Sequence, residues 1–316
     1  ERNGGYYPQS EQATAIRDVL LMELKKQNVG VVCGCGIRGI EKTAKGFTFH
    51  TKGGDFYATK CIMATGGKTL KKSGSDGSGF LYLESLGHHI IDLVPGLIGL
   101  KGKQSFFADI AGIRADVKVD LYIESTHVCS EQGELQLTNY GISGIPVFQL
   151  SRVAARALSE QKKVYATLNF VPFWEKEQCL TYFKERFKKA DEKHIGEALI
   201  GFFPEKLIPV LLEESHIKAT KYANRLQTEE LERFIDTVQG LRVDITDWNT
   251  FDTAQVTAGG VDTDEIDAET MESKLCPGLY FAGEMVDIDG ICGGYNLQWA
   301  WSSGAVAGIH VARELS

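Results

Sequence analysis

The chain has 316 residues, of which 43% are hydrophobic and 24% are charged, and its formal net charge is −8. This length accommodates two or three domains of about 100 to 200 residues each, and the composition is typical of a globular protein. Because nucleic-acid binding depends on Lys and Arg that neutralise phosphates, the acidic balance excludes a nucleic-acid partner from our expectations. We expect a small-molecule ligand. No run of about 18 apolar residues occurs, so no membrane-spanning helix is predicted.

Seven cysteines are scattered along the sequence without CxxC spacing. An odd number of cysteines without that spacing favours free thiols in a reducing, cytoplasmic compartment over a disulfide framework or a zinc site.

The first third of the chain has the pattern of an α/β unit. Ser10 is a candidate N-cap for an amphipathic helix that continues to about Gln27. Short β-type runs follow it, at residues 29–33, 37–42, 47–51 and 60–64. A glycine turn at 74–79 then precedes a predicted helix that ends near Leu86.

The composition changes twice in the middle of the chain. Residues 90–171 contain mostly short β-type runs, at 117–124, 135–138 and 164–170. Charged helical segments follow, with predicted breaks near Pro204, Pro209 and Thr228. Two further strands are predicted, at 241–247 and 251–256.

These patterns predict an α/β fold in which a split, Rossmann-like dinucleotide-binding domain contains an inserted mainly β domain and a helical subdomain. The expected boundaries are 1–94 for the first part of the dinucleotide-binding domain, 95–173 for the β domain, 174–240 for the helical subdomain, 241–255 for strands returning to the β domain, and 256–316 for the second part of the dinucleotide-binding domain.

The glycine-rich tail is the most informative segment. A predicted strand at 279–282 ends in Gly283-Glu284, and a helix rich in small residues begins near Asn296, just after Gly293-Gly294. Free N–H groups and the helix dipole favour negative charge at a helix N-terminus, and a reduced flavin carries negative charge at its N1/C2=O edge. The alternative is a plain strand-turn-helix whose glycines serve packing alone.

Several segments together resemble one family. They are Ala64-Thr65-Gly66-Gly67, Gly74-Ser75-Asp76-Gly77, and residues 138–144, 256–261, 270–274 and 283–296. In these segments the chain resembles bacterial flavoproteins known as NAD(P)/FAD-dependent oxidoreductases, which include aminoacetone-oxidase-like and bile-acid-dehydroxylating members. The resemblance covers nearly the whole chain.

The resemblance implies an FAD site. It implies that Glu284 binds a ribityl hydroxyl and that Asn296 and Leu297 present backbone N–H groups to the flavin pyrimidine edge. The remaining implied positions are Ala64, Thr65, Gly66 and Gly67 near the pyrophosphate and adenosine, Ile37 at the adenine, Gly259 and Gly260 on the approach to the ring, and Gly283, Gly293, Gly294 and Tyr295 around the flavin end.

The family pattern also includes a strand, a glycine-rich phosphate loop and a helix upstream of the position of Glu1. Gly34-Cys35-Gly36-Ile37-Arg38-Gly39 has the G-x-G-x-x-G spacing, but no helix is predicted after it. We therefore expect a truncated chain that binds FAD poorly or not at all by itself. Stoichiometric FAD in the purified chain, measured by its absorbance, would refute this expectation.

Candidate catalytic residues are Tyr140, Asp289 and Tyr295, polar groups that could exchange a proton with a substrate above the flavin ring. Cys292 is interpreted as a small buried residue rather than a redox thiol, since no second cysteine lies at redox-motif spacing. The pair His88-His89 has no metal-ligand spacing, so we expect no metal site.

The expected reaction is hydride transfer between NAD(P)H, FAD and a small organic substrate, and the resemblance favours reduction of a double bond over amine oxidation. The alternative from another class is a non-catalytic flavin- or nucleotide-binding sensor or scaffold. Flavin-dependent RNA modification is disfavoured by the acidic charge.

Overall fold

The computed structural model describes residues 4–316, which divide into two compact units: residues 4–66, 77–91 and 260–316 form the first, and residues 67–76 and 92–259 form the second. The strands are β1 (Ile37–Thr43), β2 (Gly46–Thr51), β3 (Gly54–Ala58), β4 (Cys61–Met63), β5 (Ile90–Gly96), β6 (Leu100–Gly102), β7 (Arg114–Ile123), β8 (Thr126–Thr138), β9 (Gly141–Gly144), β10 (Val164–Asn169), β11 (Leu241–Trp248), β12 (Val256–Val261) and β13 (Leu279–Phe281). The α-helices are α1 (Ala13–Lys26), α2 (Ser78–Ser85), α3 (Phe107–Ile110), α4 (Ile145–Ser159), α5 (Lys176–Lys188), α6 (Ile195–Leu199), α7 (Leu207–Glu214), α8 (Thr228–Gly240) and α9 (Tyr295–Leu315).

The first unit contains two small sheets. Strands β1, β2 and β3 form an antiparallel meander, and β4 pairs with β13 in parallel. The register of the parallel pair places Met63 opposite Phe281, and the Ala282 amide donates to the Met63 carbonyl at 3.0 Å. The carboxyl ends of both parallel strands therefore meet at one edge.

The two long helices of the first unit are mostly exposed. The predicted helix after Ser10 is confirmed as α1, although its N-cap is Gln12 rather than Ser10, and none of its residues is buried. In α9 only Ser303 and Ala307 are buried. Their four-residue spacing defines the inner face of α9.

The second unit is built on a closed barrel with the strand order β10-β11-β6-β9-β8-β7. Alternate residues of its strands face the interior, as in β7, where Val117, Val119 and Leu121 are fully buried. The same hydrophobic core continues into helices α4, α5, α7 and α8 through residues such as Phe183 and Phe234.

Several local predictions are wrong. Residues 29–33 form no strand, and Val29, Val31 and Val32 are exposed. No helix was predicted where α4 lies, among the strands of residues 90–171. Pro209 lies in the first turn of α7, where a missing N–H is tolerated, so it does not break the helix. Phe251–Thr253 is a turn of 3-10 helix, and the strand there is β12.

The α/β class is confirmed in its coarse form, as mixed strands and helices with a separate strand barrel. The split layout of the dinucleotide-binding domain stays a prediction.

Candidate cofactor site

Two turns lie side by side at the carboxyl edge of the β4–β13 pair. Ala64, Thr65 and Gly66 follow β4, and the 3-10 turn Gly283–Met285 follows β13 one residue later. The Thr65 hydroxyl donates to the sulfur of Met285 at 2.8 Å. The sequence-predicted residues 64–66 and 283–284 are thus brought together by the strand register.

Helix α9 fixes both backbone polar groups of Gly283. The Gly283 amide donates to the Ser303 hydroxyl at 2.8 Å, and the Gly283 carbonyl accepts from the indole nitrogen of Trp299 at 2.9 Å. The Ser303 hydroxyl in turn donates to the Trp299 carbonyl at 2.7 Å. The turn that carries Glu284, itself half-buried, is therefore attached to the middle of α9.

The loop before α9 is held by the side chain of Asn296. Its amide oxygen accepts from the Gly290 N–H at 2.8 Å, and its amide nitrogen donates to the Gly290 carbonyl at 2.9 Å. Because both ends of the side-chain amide are occupied in this way, Asn296 offers a ligand its backbone N–H rather than its side chain.

The N-terminus of α9 has the donors that an anion requires. Gly294 is the N-cap, in the left-handed conformation with φ 92°, and no side chain caps the helix. The first N–H groups of a helix have no intrahelical partner, and the dipole places partial positive charge there. Leu297 in this first turn is 69% exposed. These donors fit the anionic pyrimidine edge of a flavin.

Gly260 in β12 has a packing role. Gly259 and Gly260 are buried, and a Cβ at Gly260 would lie 2.6 Å from the Met285 carbonyl oxygen. Glycine with φ 141° at this position lets β12 approach the Gly283–Met285 turn.

The remaining cofactor candidates are spread over both units. Ile37 begins β1, and its carbonyl accepts from the Tyr82 hydroxyl at 2.5 Å. Gly67 and Gly259 belong to the second unit. The G-x-G-x-x-G match at 34–39 leads into strand β1, which confirms the prediction that no helix follows it.

The candidate catalytic residues also divide between the units. Tyr140 lies in the turn between β8 and β9, where its hydroxyl would be 2.6 Å from a Cβ at Gly99. Asp289 is half-buried in the loop before α9, and Tyr295, the first residue of α9, is 59% exposed.

Trp299 and Ser303 are functional candidates that the sequence reasoning missed. They lie four residues apart on α9, and this spacing was the available signal that both face the same neighbour. Which neighbour they contact depends on long-range packing.

A chain of hydrogen bonds also links three polar residues of the first unit. The buried His88 contacts the Glu265 carboxylate through Nδ1 at 2.8 Å and the Ser273 hydroxyl through Nε2 at 3.0 Å. Ser273 is itself buried and accepts from two backbone amides, those of Leu275 and Cys276. These hydrogen bonds therefore order the segment before β13, and they do not present the Ser273 hydroxyl as a nucleophile.

The thiol of Cys292, in the loop before α9, is half-buried. Burial raises its pKa, which disfavours the reactive thiolate. Across residues 4–316, no cluster of three metal-ligating side chains is present. Nor does any helix in this range combine the length and the hydropathy needed to cross a membrane.

Comparison with known proteins identifies the relatives of the chain. A family model described as the HI0933-like protein Rossmann domain matches residues 1–310. The chain is 44% identical to the 3-dehydro-bile acid delta(4,6)-reductase of Clostridium scindens over 96% of its own length and 75% of the relative's length.

Two more distant relatives are ribosomal RNA dihydrouridine synthases. That of Escherichia coli is 29% identical over 93% of the chain and 70% of the relative, and that of Haemophilus influenzae is 26% identical over 96% and 74%. The family resemblance seen in the sequence is confirmed by these matches. The chain belongs to the HI0933-like Rossmann-domain family.

Proposed function

We propose that the chain is an FAD-dependent oxidoreductase that reduces a carbon–carbon double bond in a small organic substrate, with NADH or NADPH as the hydride source. The observation that carries this proposal is the 44% identity to a reductase over 96% of the chain. The names of the bile-acid and dihydrouridine relatives all denote reductions of a carbon–carbon double bond. The reductive direction is therefore favoured over amine oxidation.

The backbone N–H groups at the N-terminus of α9 support a flavin site there. Asn296 and Leu297 would donate backbone N–H groups to the pyrimidine edge, and Glu284 would accept from a ribityl hydroxyl. Ala64, Thr65 and Gly66 would line the side that holds the phosphates and adenosine. FAD, when bound, supplies the electron chemistry, whereas the protein binds, orients and desolvates the reactants.

Side chains that do not touch the cofactor would keep these groups in place. Trp299 and Ser303 hold Gly283, and the Asn296 side chain holds Gly290. Tyr295 and Asp289 in the first unit are candidates to hold a proton or deliver it to a substrate, and Tyr140 in the second unit is a separate candidate.

A small organic substrate fits the charge better than RNA does. With a net charge of −8, the chain lacks the basic excess that phosphate contacts require. The dihydrouridine synthases, at 29% and 26% identity, are also less similar to the chain than the bile-acid reductase. An unsaturated 3-oxo steroid acid and a uridine-containing RNA fragment are the two substrates to compare, and turnover of only the RNA would overturn the small-molecule assignment.

The test of oxidoreductase function is reduction of flavin by nicotinamide. The protein is supplied with FAD under anaerobic conditions, NADH or NADPH is added, and the loss of the oxidised-flavin absorbance is followed. We expect bleaching with at least one nicotinamide that exceeds the rate of free FAD. No acceleration by either would favour the non-catalytic flavin-binding sensor or scaffold.

Two narrower hypotheses belong to the same proposal. They are the split arrangement of the dinucleotide-binding domain and a cytoplasmic location.

A further inference from the structure

A cleft runs between helices α5 and α8 in the second unit, and the 3-10 turn Ala223–Arg225 also lines it. Its volume is about 450 Å³. Sites that bind small molecules commonly have volumes of about 300 to 1,000 Å³. The cleft is thus large enough for a ligand, and no step of the function proposed above uses it.

The floor of the cleft is apolar. Leu180 and Phe187 line it from α5, Leu231 lines it from α8, and Leu226 lines it from the segment between them. Phe187 and Leu231 are buried members of the main hydrophobic core, and the partly buried Leu180 and Leu226 pack against it. A ligand that covers Leu180 and Leu226 would remove apolar surface from water, which favours binding.

One side of the cleft is basic. Lys184 and Lys188 follow Leu180 at four-residue intervals on α5, so all three share one helix face. Both lysines are exposed, and within the part of the chain that the structure describes neither ammonium group has an ion-pair partner. Lys176 on the same helix, by contrast, pairs with Asp236.

The opposite side of the cleft carries Glu232, the one carboxylate among the lining residues. With two lysines against one glutamate, the lining has one net positive charge. Thr181, Asn224 and Gln227 add neutral polar groups. An apolar floor beside a pair of cations matches a ligand that has an apolar body and one anionic end.

We propose that this cleft binds an amphipathic monocarboxylate, whose apolar body packs on Leu180, Phe187 and Leu231 and whose carboxylate pairs with Lys184 and Lys188. The proposal stands on the cleft alone and does not depend on the oxidoreductase function. A flexible fatty acid and a rigid ring-system acid share this chemistry, and the two probes below distinguish them.

The experiment measures binding by titration calorimetry with decanoate and with cholate. Decanol and acetate serve as probes that lack the charge and the apolar body, respectively. The variant K184Q/K188Q removes both cations, and we expect its dissociation constant to rise about tenfold for the acid that binds. Thr181→Trp places an indole over the floor from an exposed position, and we expect it to weaken binding more than about tenfold.

The matched control is Lys189→Gln, which removes a charge from the residue after α5, outside the lining of this cleft. Its affinity should equal that of the original protein. Tighter binding of decanoate would identify an acyl chain, and tighter binding of cholate a fused-ring acid.

Three results would overturn the proposal. They are no saturable binding of either acid, an affinity of K184Q/K188Q equal to that of the original protein, and a loss of affinity in Lys189→Gln as large as that in K184Q/K188Q. Circular dichroism of each variant separates loss of the site from loss of the fold.

Discussion

The indole nitrogen of Trp299 donates a 2.9 Å hydrogen bond to the carbonyl oxygen of Gly283, and this bond links α9 to the turn after β13. Together with the bond from the Gly283 amide to Ser303, it fixes the peptide groups on both sides of one glycine. The position of Glu284, the next residue, therefore depends on side chains in the interior of α9.

Replacing Trp299 by Phe removes the indole donor and keeps an aromatic ring. We expect a loss of about 1 kcal/mol in the free energy of unfolding, the typical net value of one hydrogen bond. Chemical denaturation measures this change. Trp301→Phe is the control, because Trp301 lies on the same helix but is 50% exposed, and it should shift stability by less than about 0.5 kcal/mol. Equal effects of the two substitutions would contradict the role of this bond.

Ser303→Ala leaves the buried Gly283 amide without its acceptor. An unsatisfied buried donor costs about 1 to 3 kcal/mol, so the denaturation midpoint should fall clearly. The neighbouring Ser302 is exposed, and its hydroxyl accepts a hydrogen bond from the side chain of Gln298 on the same helix. Ser302→Ala should change the free energy of unfolding by less than about 0.5 kcal/mol, and a larger loss there than at Ser303 would show that the Gly283 contact is unimportant.

Gly260→Ala introduces a Cβ 2.6 Å from the Met285 carbonyl at a φ of 141°. Neither backbone segment can move easily, so we expect destabilisation of about 3 kcal/mol or more, or failure to fold. Gly308 offers the opposite case, because it lies inside α9 and a Cβ there would meet no atom within 4 Å. Gly308→Ala should raise stability by about 0.5 to 1 kcal/mol. Thermal unfolding of both variants measures whether Gly260→Ala lowers the stability and Gly308→Ala raises it.

Glu314, near the end of α9, pairs with Lys60 and accepts a hydrogen bond from the Tyr280 hydroxyl at 2.9 Å. The hydrogen bond from Lys60 is the larger cause and the one from Tyr280 the second, and together they hold the pKa of Glu314 below its ordinary value. The carboxylate therefore contributes stability that is fully present above the unfolded pKa of about 4.3 and is lost as the pH falls through the folded pKa.

The measurement for Glu314 is the urea midpoint between about pH 6 and about pH 3.5. The original protein should lose more stability over this range than Glu314→Gln does. Glu84→Gln, at an exposed position on α2, should retain the original dependence. Identical slopes for all three proteins would rule out the proposed linkage.

The sequence predicted best those features that depend on neighbouring residues. Helix α1, strands β1 and β2, and the strand-turn-helix around Gly283 follow from local periodicity and glycine turns. Residues 29–33 have strand-like composition, but no strand forms there, and strand formation requires a partner that local composition does not specify. In α4, the buried residues Val147, Leu150, Ala154 and Ala157 recur at helical spacing, and that signal could have separated the helix from the surrounding strands.

The candidate site was predicted only where its residues are close in sequence. Residues 283–297 were found because the glycines and Glu284 are close in sequence. The contacts of Trp299 and Ser303 with Gly283, and of Thr65 with Met285, join residues separated by 16, 20 and 220 positions. Such contacts depend on the packing of α9 and on the parallel pairing of β4 with β13, which sequence periodicity alone does not determine.

If the first turn of α9 binds the flavin edge, a titration with FAD followed by flavin fluorescence detects the binding. Leu297→Pro removes one backbone N–H in the first helical turn, where no intrahelical hydrogen bond is lost, and Leu297→Ala retains that N–H. We predict weak but saturable binding to the original protein, a dissociation constant about tenfold higher for the proline variant, and no change for the alanine variant. No saturable binding at any FAD concentration, or equal affinity of both variants with helix content preserved, would show that the first turn of α9 does not bind the flavin.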